Sequence, residues 1–250
     1  MTTQKLKKIA ILIIAFIGFL DDMLGWKKGL RKWQKPLLTL PAAIPLMAIN
    51  AGFTRIYIPF LGPTDIGLLY PLIFIPIAII GASQGFNMLA GLNGLESGMG
   101  AIILSTLGFM LWQLNKPWLA LICLSMVISL FAFWLFNKYP AKVFSGDVLL
   151  YPLGALIACV AILGNIEKTA LILFIPYFLE LFIKARHKLR TECFLIPQED
   201  GSLELPKKTG SLTHVAAKLV NKVKSKIYER DVVYTLYSFE LILVLIVLNI

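Results

Sequence analysis

Charge is scarce in this chain: only 15% of its 250 residues are Asp, Glu, Lys or Arg, while 58% are apolar. A water-soluble domain of this length carries roughly a quarter charged residues and about half apolar ones. Folded in water, the chain would leave wide apolar areas on its surface. Lipid as solvent removes that difficulty, and the mean hydropathy of +0.79 agrees. Cysteine is nearly missing too. Cys123 and Cys159 stand in apolar runs and Cys193 in a polar loop, which excludes a disulfide framework and leaves no pair at metal-ligand spacing. Internal repeats and low-complexity tracts are absent from the sequence. The first lysines and the apolar run after them lack a small-residue cleavage site and lead into Asp21-Asp22, so they do not form a secretory signal.

What the chain has instead is a series of apolar runs. A membrane-crossing helix needs about 20 apolar residues, and charge in its middle is costly. By that measure spans fall near residues 9–20, 37–53, 66–83, 98–114, 118–136, 148–164, 168–184 and 232–250. The expected fold is all-α: a polytopic transmembrane helical bundle of about eight spans, forming one membrane-embedded domain over residues 1–250. Prolines at 41, 45, 71, 76, 152 and 176 lie in or beside these runs. Such helices tolerate them where neighbouring groups satisfy the freed backbone.

The net charge of +10 is concentrated in a few loops. Lys27 to Lys35 holds five Lys/Arg, Lys138 to Lys142 two and Lys184 to Arg230 eleven, whereas the alternate loops hold only Arg55, Lys116 and Lys168. The positive-inside rule therefore places the first set in the cytoplasm and explains the basicity without nucleic acid as a partner. Basic loops on that side also attract anionic lipids and phosphate-bearing substrates. Lys5, Lys7 and Lys8 fall on the wrong side of this scheme, and the first run is only about twelve residues long.

One long polar segment remains, a cytoplasmic loop over 184–231. Gln198 to Ser202 reads as a turn. From Thr213 to Arg230 apolar residues recur at helical spacing with lysines opposite, which predicts an amphipathic helix. That helix either lies on the membrane surface or packs on the rest of the protein.

Three polar constellations fall on the cytoplasmic side. Asp21-Asp22 end the first run; adjacent carboxylates beside hydrocarbon need a cation or a lysine partner, so they either serve chemistry or pair with Lys27, Lys28 or Lys35. Asn87, Asn93 and Glu96 stand among glycines in an otherwise apolar stretch. Glycine lets backbone approach a ligand and also lets helices pack closely, while Asn supplies both donors and acceptors. Asp147 opens another apolar run and could be a helix cap or an oxygen ligand for a hard cation such as Mg²⁺. Arg186-His187-Lys188 suit a pyrophosphate clamp and equally suit an ordinary positive-inside cluster.

Four blocks then stand in order: Phe16-Ile-Gly-Phe-Leu-Asp-Asp22, Asn87-Met-Leu-Ala-Gly-Leu-Asn-Gly-Leu-Glu96, Tyr139-Pro-Ala-Lys-Val-Phe-Ser-Gly-Asp147 and Arg186-His-Lys188. Together they resemble the polyprenyl-phosphate N-acetylhexosamine-1-phosphate transferases, most of all the eukaryotic and archaeal enzymes that load GlcNAc-1-phosphate onto dolichyl phosphate. The resemblance implies Mg²⁺, with Mn²⁺ as a substitute, held by Asn87 and Asp147. It implies Asn93 at the uracil, Lys35 and Lys188 at the diphosphate, Glu96 and Arg186 in the sugar-nucleotide pocket, His187 among the substrate-binding residues, and Asp21 and Asp22 beside the lipid phosphate. Asp21, Asp22 and Asp147 would then be the catalytic carboxylates.

The implied partners are UDP-GlcNAc, a polyprenyl or dolichyl phosphate, the bilayer and a second copy in a homodimer. The implied location is an archaeal-type cell membrane rather than endoplasmic reticulum, with the active site facing the cytoplasm. The family carries about two further spans before the aspartate pair, which leads to the expectation of an N-terminally shortened form. A flippase or transporter of phosphorylated lipid is the alternative from another class, and a truncated inactive paralogue is a third. Transporters place polar groups near mid-membrane, whereas here they gather at one face.

Overall fold

The computed structural model describes residues 34–250 except 53, 59–61, 190 and 207, together with 16 and 19. Within that range the protein is a polytopic helical membrane protein, as the apolar runs require. Five helical segments are long and apolar enough to cross a membrane: Tyr70–Met88, Leu95–Gln113, Pro117–Asn137, Asp147–Gly164 and Glu229–Leu248. The run near 9–20 lies outside the described residues.

The remaining two apolar runs are not single α-helices. Between 34 and 48 the backbone forms α1 (Gln34–Thr39), a 3-10 turn (Leu40–Ala43) and α2 (Ile44–Ala48). Pro41 and Pro45 sit at the start of the second and third pieces, where a missing N–H costs nothing. A span near 37–53 was the expectation there; the helical backbone runs without a gap to Ala48, changing between α and 3-10 geometry at the prolines. The run near 168–184 is split into α7 (Glu167–Leu173) and α8 (Ile175–Arg186), with Pro176 in the first turn of α8.

The chain divides into two compact units. The first holds residues 1–84 and 146–167. It contains α1, α2, the antiparallel pair β1 (Arg55–Ile58) and β2 (Gly62–Asp65), the first ten residues of α3 (Ile75–Met88) and α6 (Asp147–Gly164). Of the α6 span 78% is buried inside the protein. Gly154 explains how α6 comes so near α3: a Cβ there would overlap the Ala82 carbonyl and stand 2.8 Å from Ser83 Cα. Close backbone approach at a small residue is the usual contact between membrane helices. Tyr70 donates to Glu167 Oε1 at 2.5 Å and closes this unit.

The second unit holds 85–145 and 168–250. Here α4 (Leu95–Gln113) lies along α5 (Pro117–Asn137), and α10 (Glu229–Leu248) packs on α4 as well. Only 22% of the α5 span is buried, and Leu121, Leu124, Ile128, Phe131 and Leu135 stand exposed along it. In water such a face would be a liability; in lipid it is the expected outer wall. The polar segment between α8 and α10 forms a short hairpin, β3 (Ile196–Pro197) with β4 (Leu203–Glu204), and one helix, α9 (Leu212–Asn221). The turn read at Gln198 to Ser202 closes that hairpin, with Gln198 N donating to Ser202 O at 2.7 Å. The helix is shorter than the periodicity suggested, because 222–227 leave the helix and Glu229 opens α10. Its Leu212, Thr213, His214, Ala216 and Ala217 are buried against the protein, while Leu219 is exposed.

Candidate active site

The second unit builds one polar cluster from three of the sequence blocks. Residue Asn87 sits one residue before the end of α3, and the chain then turns through 89–94 into α4. Two glycines make the turn possible. Gly91 has φ +115° and Gly94, the N-cap of α4, has φ +83°, both in the region where a side chain is strained. At Gly91 a Cβ would also stand 2.5 Å from the Phe194 ring.

Polar side chains lock this turn. Glu96 is buried, and its Oε1 accepts from the Gly91 backbone N–H, with the Ser145 hydroxyl beside the carboxylate. Asn93 is held on both sides. Its backbone N–H and its Nδ2 donate to the two oxygens of Glu229 on α10, each at 2.5 Å, and its Oδ1 accepts from Ala141 N at 2.9 Å. Ala141 belongs to the third block, so the second and third blocks meet through an asparagine. Behind them Ser97 Oγ donates to Asn137 Oδ1 at 2.8 Å, and Asn137 Nδ2 donates to Val143 O at 3.0 Å.

The fourth block joins through a residue just ahead of it. Lys184 Nζ donates to Met88 O at 2.5 Å, pairs with Glu180 Oε1 at 3.0 Å and reaches Cys193 Sγ at 3.1 Å. Met88 follows Asn87, so an ammonium ties the end of α3 to the helix that leads into Arg186-His187-Lys188. Glu180 does more than neutralise Lys184. Its fully buried carboxylate accepts from Ser211 Oγ at 3.0 Å and from Leu212 N at 2.6 Å, seating the N-terminus of α9. Carboxylates are favourable at that end of a helix because its first N–H groups lack partners. Cys193 completes the knot: Sγ donates to Met88 O at 3.0 Å, and Thr213 Oγ1 donates to Cys193 O at 2.7 Å. Burial, reinforced by Glu180, holds the Cys193 thiol above its ordinary range, while Lys184 pulls the other way.

Of the basic block itself, Arg186 is exposed and stacks over the Phe182 ring at 4.7 Å. His187 Nδ1 lies 3.1 Å from Ile183 O, and Lys188 is exposed in a left-handed conformation (φ 56°). Asp147 opens α6 in the first unit, one residue after its N-cap Gly146, as an acidic first-turn residue. Lys35 is the second residue of α1. Asp21 and Asp22 lie outside the described residues.

Sequence reasoning missed Glu180, Lys184, Cys193 and Glu229. The first two carried a signal, since a glutamate four residues before a lysine inside an apolar run is an i,i+4 pair that hydrocarbon would make expensive unless both are used. Glu229 and Cys193 carried none, because their partners stand 136 and 105 residues away.

Asn93, Glu96 and Lys184 thus tie parts of three sequence blocks together in the second unit of a polytopic helical membrane protein. The chain belongs to glycosyl transferase family 4, whose model matches residues 7–165. It is 40% identical over 240 residues to a Saccharolobus solfataricus protein named putative UDP-N-acetylglucosamine–dolichyl-phosphate N-acetylglucosaminephosphotransferase, a match covering 95% of this chain and 72% of that one. A Sulfolobus acidocaldarius protein of the same name is 31% identical over 94% of this chain and 69% of its own. The phospho-N-acetylmuramoyl-pentapeptide-transferase of Streptococcus mutans is 38% identical over 68% of this chain and 52% of its own.

Proposed function

We propose that this protein transfers GlcNAc-1-phosphate from UDP-GlcNAc to a polyprenyl phosphate of the dolichyl type, releasing UMP, at the cytoplasmic face of an archaeal-type cell membrane. The similarity to the two archaeal relatives supports the substrate pair. The observation that carries the reading at the level of the site is the convergence of three motif blocks, through Asn93 on Ala141 and Lys184 on Met88 O.

In this reaction an oxygen of the polyprenyl phosphate attacks the sugar-linked phosphorus of UDP-GlcNAc. A new P–O bond forms, the bond to the UMP oxygen breaks, and UMP leaves with that electron pair. The attacking monoester has a second pKa near 6, so at neutral pH it is largely dianionic and needs no proton removed. Charge neutralisation is then the main task, and it falls to cationic groups around the diphosphate. Lys35, Arg186 and Lys188 are the side chains for it, with Arg186 and Lys188 exposed at the end of α8. His187 belongs to the same run. Asp21 and Asp22 orient the acceptor rather than deprotonate it.

Asn87 and Asp147 are oxygen donors of the kind Mg²⁺ prefers, and Mg²⁺ characteristically takes one or two protein oxygens with substrate phosphates and waters completing its shell. Among the described residues no group of three or more His, Cys, Asp or Glu could hold a metal alone, which suits an ion shared with substrate. When bound, such an ion polarises the phosphoryl oxygens. The test is transfer of label from UDP-[³H]GlcNAc into extracted polyprenyl lipid by the purified chain, with Mg²⁺ or EDTA. Mg²⁺-dependent label in the lipid phase is expected. Label that appears equally in EDTA overturns the metal assignment, and substrate turnover with no lipid-linked product overturns the acceptor.

A further inference from the structure

We infer that the second unit carries a binding site for an anionic membrane phospholipid that adjoins Asn93, the residue assigned to the uracil. Its phosphate lies between Lys138 and Arg230, and a chain runs in the furrow between α5 and α10. The site has two parts on one seam. At one end, a cavity of about 140 Å³ is lined by Asn93 together with Trp134, Lys138, Arg230, Tyr234 and Tyr237. Further along, an open furrow of about 590 Å³ runs over α4, between Val127, Ile128 and Phe131 of α5 and Leu241 and Val244 of α10, with Ala101 and Ser105 in its lining. It exists because α5 and α10 both pack on α4, whose small residues leave room between them.

Phe131 and Trp134, stacked at 6.2 Å, make the wall continuous from the furrow to the cavity. An apolar trough leading into a ring of aromatic side chains and two cations matches a lipid's order of groups: chain, interfacial region, phosphate. Charge argues the same way. Lys138 Nζ stands 5.0 Å over the Trp134 ring and the Arg230 guanidinium 5.5 Å from the Tyr228 ring. Among the described residues neither has a carboxylate within ion-pair distance. The neighbouring acids are engaged: Glu229 with Asn93, and Asp231 with Lys224 at 2.6 Å.

Length identifies the kind of lipid. From Tyr237 to Val244 is seven residues, about 10 Å at 1.5 Å per helical residue, and one leaflet of hydrocarbon is about 15 Å deep. The furrow therefore fits a chain that ends within its leaflet, as in a membrane phospholipid, and is short for a polyprenyl chain. The site also touches the polar turn. Tyr237, beside Trp134, donates its hydroxyl to Gly94 O, so an occupant that orders these rings steadies the backbone next to Asn93.

The experiment is native mass spectrometry of the full chain in neutral detergent, titrated with phosphatidylglycerol or phosphatidylcholine. The parallel proteins are Lys138→Gln/Arg230→Gln and, in the furrow lining, Ser105→Phe. Both cations are exposed, so the double variant is expected to fold, and its thermal midpoint checks this. One phosphatidylglycerol should bind per chain in preference to phosphatidylcholine. The double variant should lose roughly thirtyfold, the worth of two basic residues near a lipid phosphate, and Ser105→Phe should weaken binding while keeping the headgroup preference. Equal binding by wild type and double variant overturns the site. Displacement by millimolar inorganic phosphate makes it a free-phosphate site, and preferential displacement by a polyprenyl phosphate makes it an acceptor site; either overturns the proposal. A dimer whose formation shuts out phosphatidylglycerol would assign the furrow to a second copy and overturn it as well.

Discussion

At the scale of single residues, Glu180 is the side chain on which most of the polar cluster depends. It neutralises Lys184, accepts from Ser211 and Leu212, and is wholly out of solvent. Removing one partner of a buried pair leaves an unpaired charge and costs about 3–5 kcal/mol. Glu180→Ala should therefore lower the thermal midpoint sharply in detergent, and adding Lys184→Met should recover part of the loss, giving a coupling of roughly 1 kcal/mol or more. Cys193 provides a second readout. Buried, with its thiol held above the ordinary range, it should resist alkylation at pH 8 in the native protein and react once Glu180 is gone. Asn93 is the other pivot. Asn93→Asp would face the Glu229 carboxylate at the position where an amide now donates. A loss of stability relieved by Glu229→Gln is the expected pattern, read from thermal midpoints of the single and double variants.

At the scale of elements, the α3–α6 contact and the β3–β4 hairpin make separate predictions. A methyl at Gly154 overlaps the Ala82 backbone, which cannot give way as a side-chain tip can. Gly154→Ala should cost about 1–3 kcal/mol, and an unchanged midpoint would refute the close approach. The hairpin is pinned from outside by Lys226 to Asp200 Oδ2 at 2.6 Å. Lys226, with help from Ser202, holds the Asp200 carboxyl well below its usual range, and Asp200 in turn raises Lys226. A carboxyl with a lowered folded-state pKa adds stability that is fully present above its unfolded value, about 3.9, and is lost as pH falls further. The raised lysine keeps its share up to its unfolded value, about 10.4, and loses it only above that. Amide exchange at Leu203 should thus be insensitive to this pair between pH 5 and 9. It should quicken below the carboxylate range, and Asp200→Asn should quicken it between pH 5 and 9, with the difference from wild type vanishing as the carboxyl is protonated.

At the scale of the whole molecule, membership of glycosyl transferase family 4 and the helical bundle agree with what the apolar runs and the four blocks foretold. If charge neutralisation dominates the reaction, Asp147→Asn should reduce lipid-linked product more than Asp21→Asn in the transfer assay. Equal losses would overturn that ordering. Much of the bundle was legible because about 20 apolar residues in a row have few fates other than a membrane span. Where that legibility failed, proline was the reason. Pro41 and Pro45 stand where the helical backbone of one run changes between α and 3-10 geometry, and Pro176 lies in the first turn of a new helix within another.

By itself the sequence determined the solvent, the helical class, the sidedness expected from loop charge and the four blocks that hold the candidate site residues. These are local properties: each is carried by adjacent residues or by a short period. Tertiary structure alone decided what the blocks hold on to. Asn93 bridges Glu229 and Ala141, Glu96 folds back onto its own turn, and Lys184 ties Met88 to the basic run. Apart from the Glu96 contact, such partners lie tens of residues away, and they are chosen by which helix ends the packing brings together, a choice that no stretch of adjacent residues records.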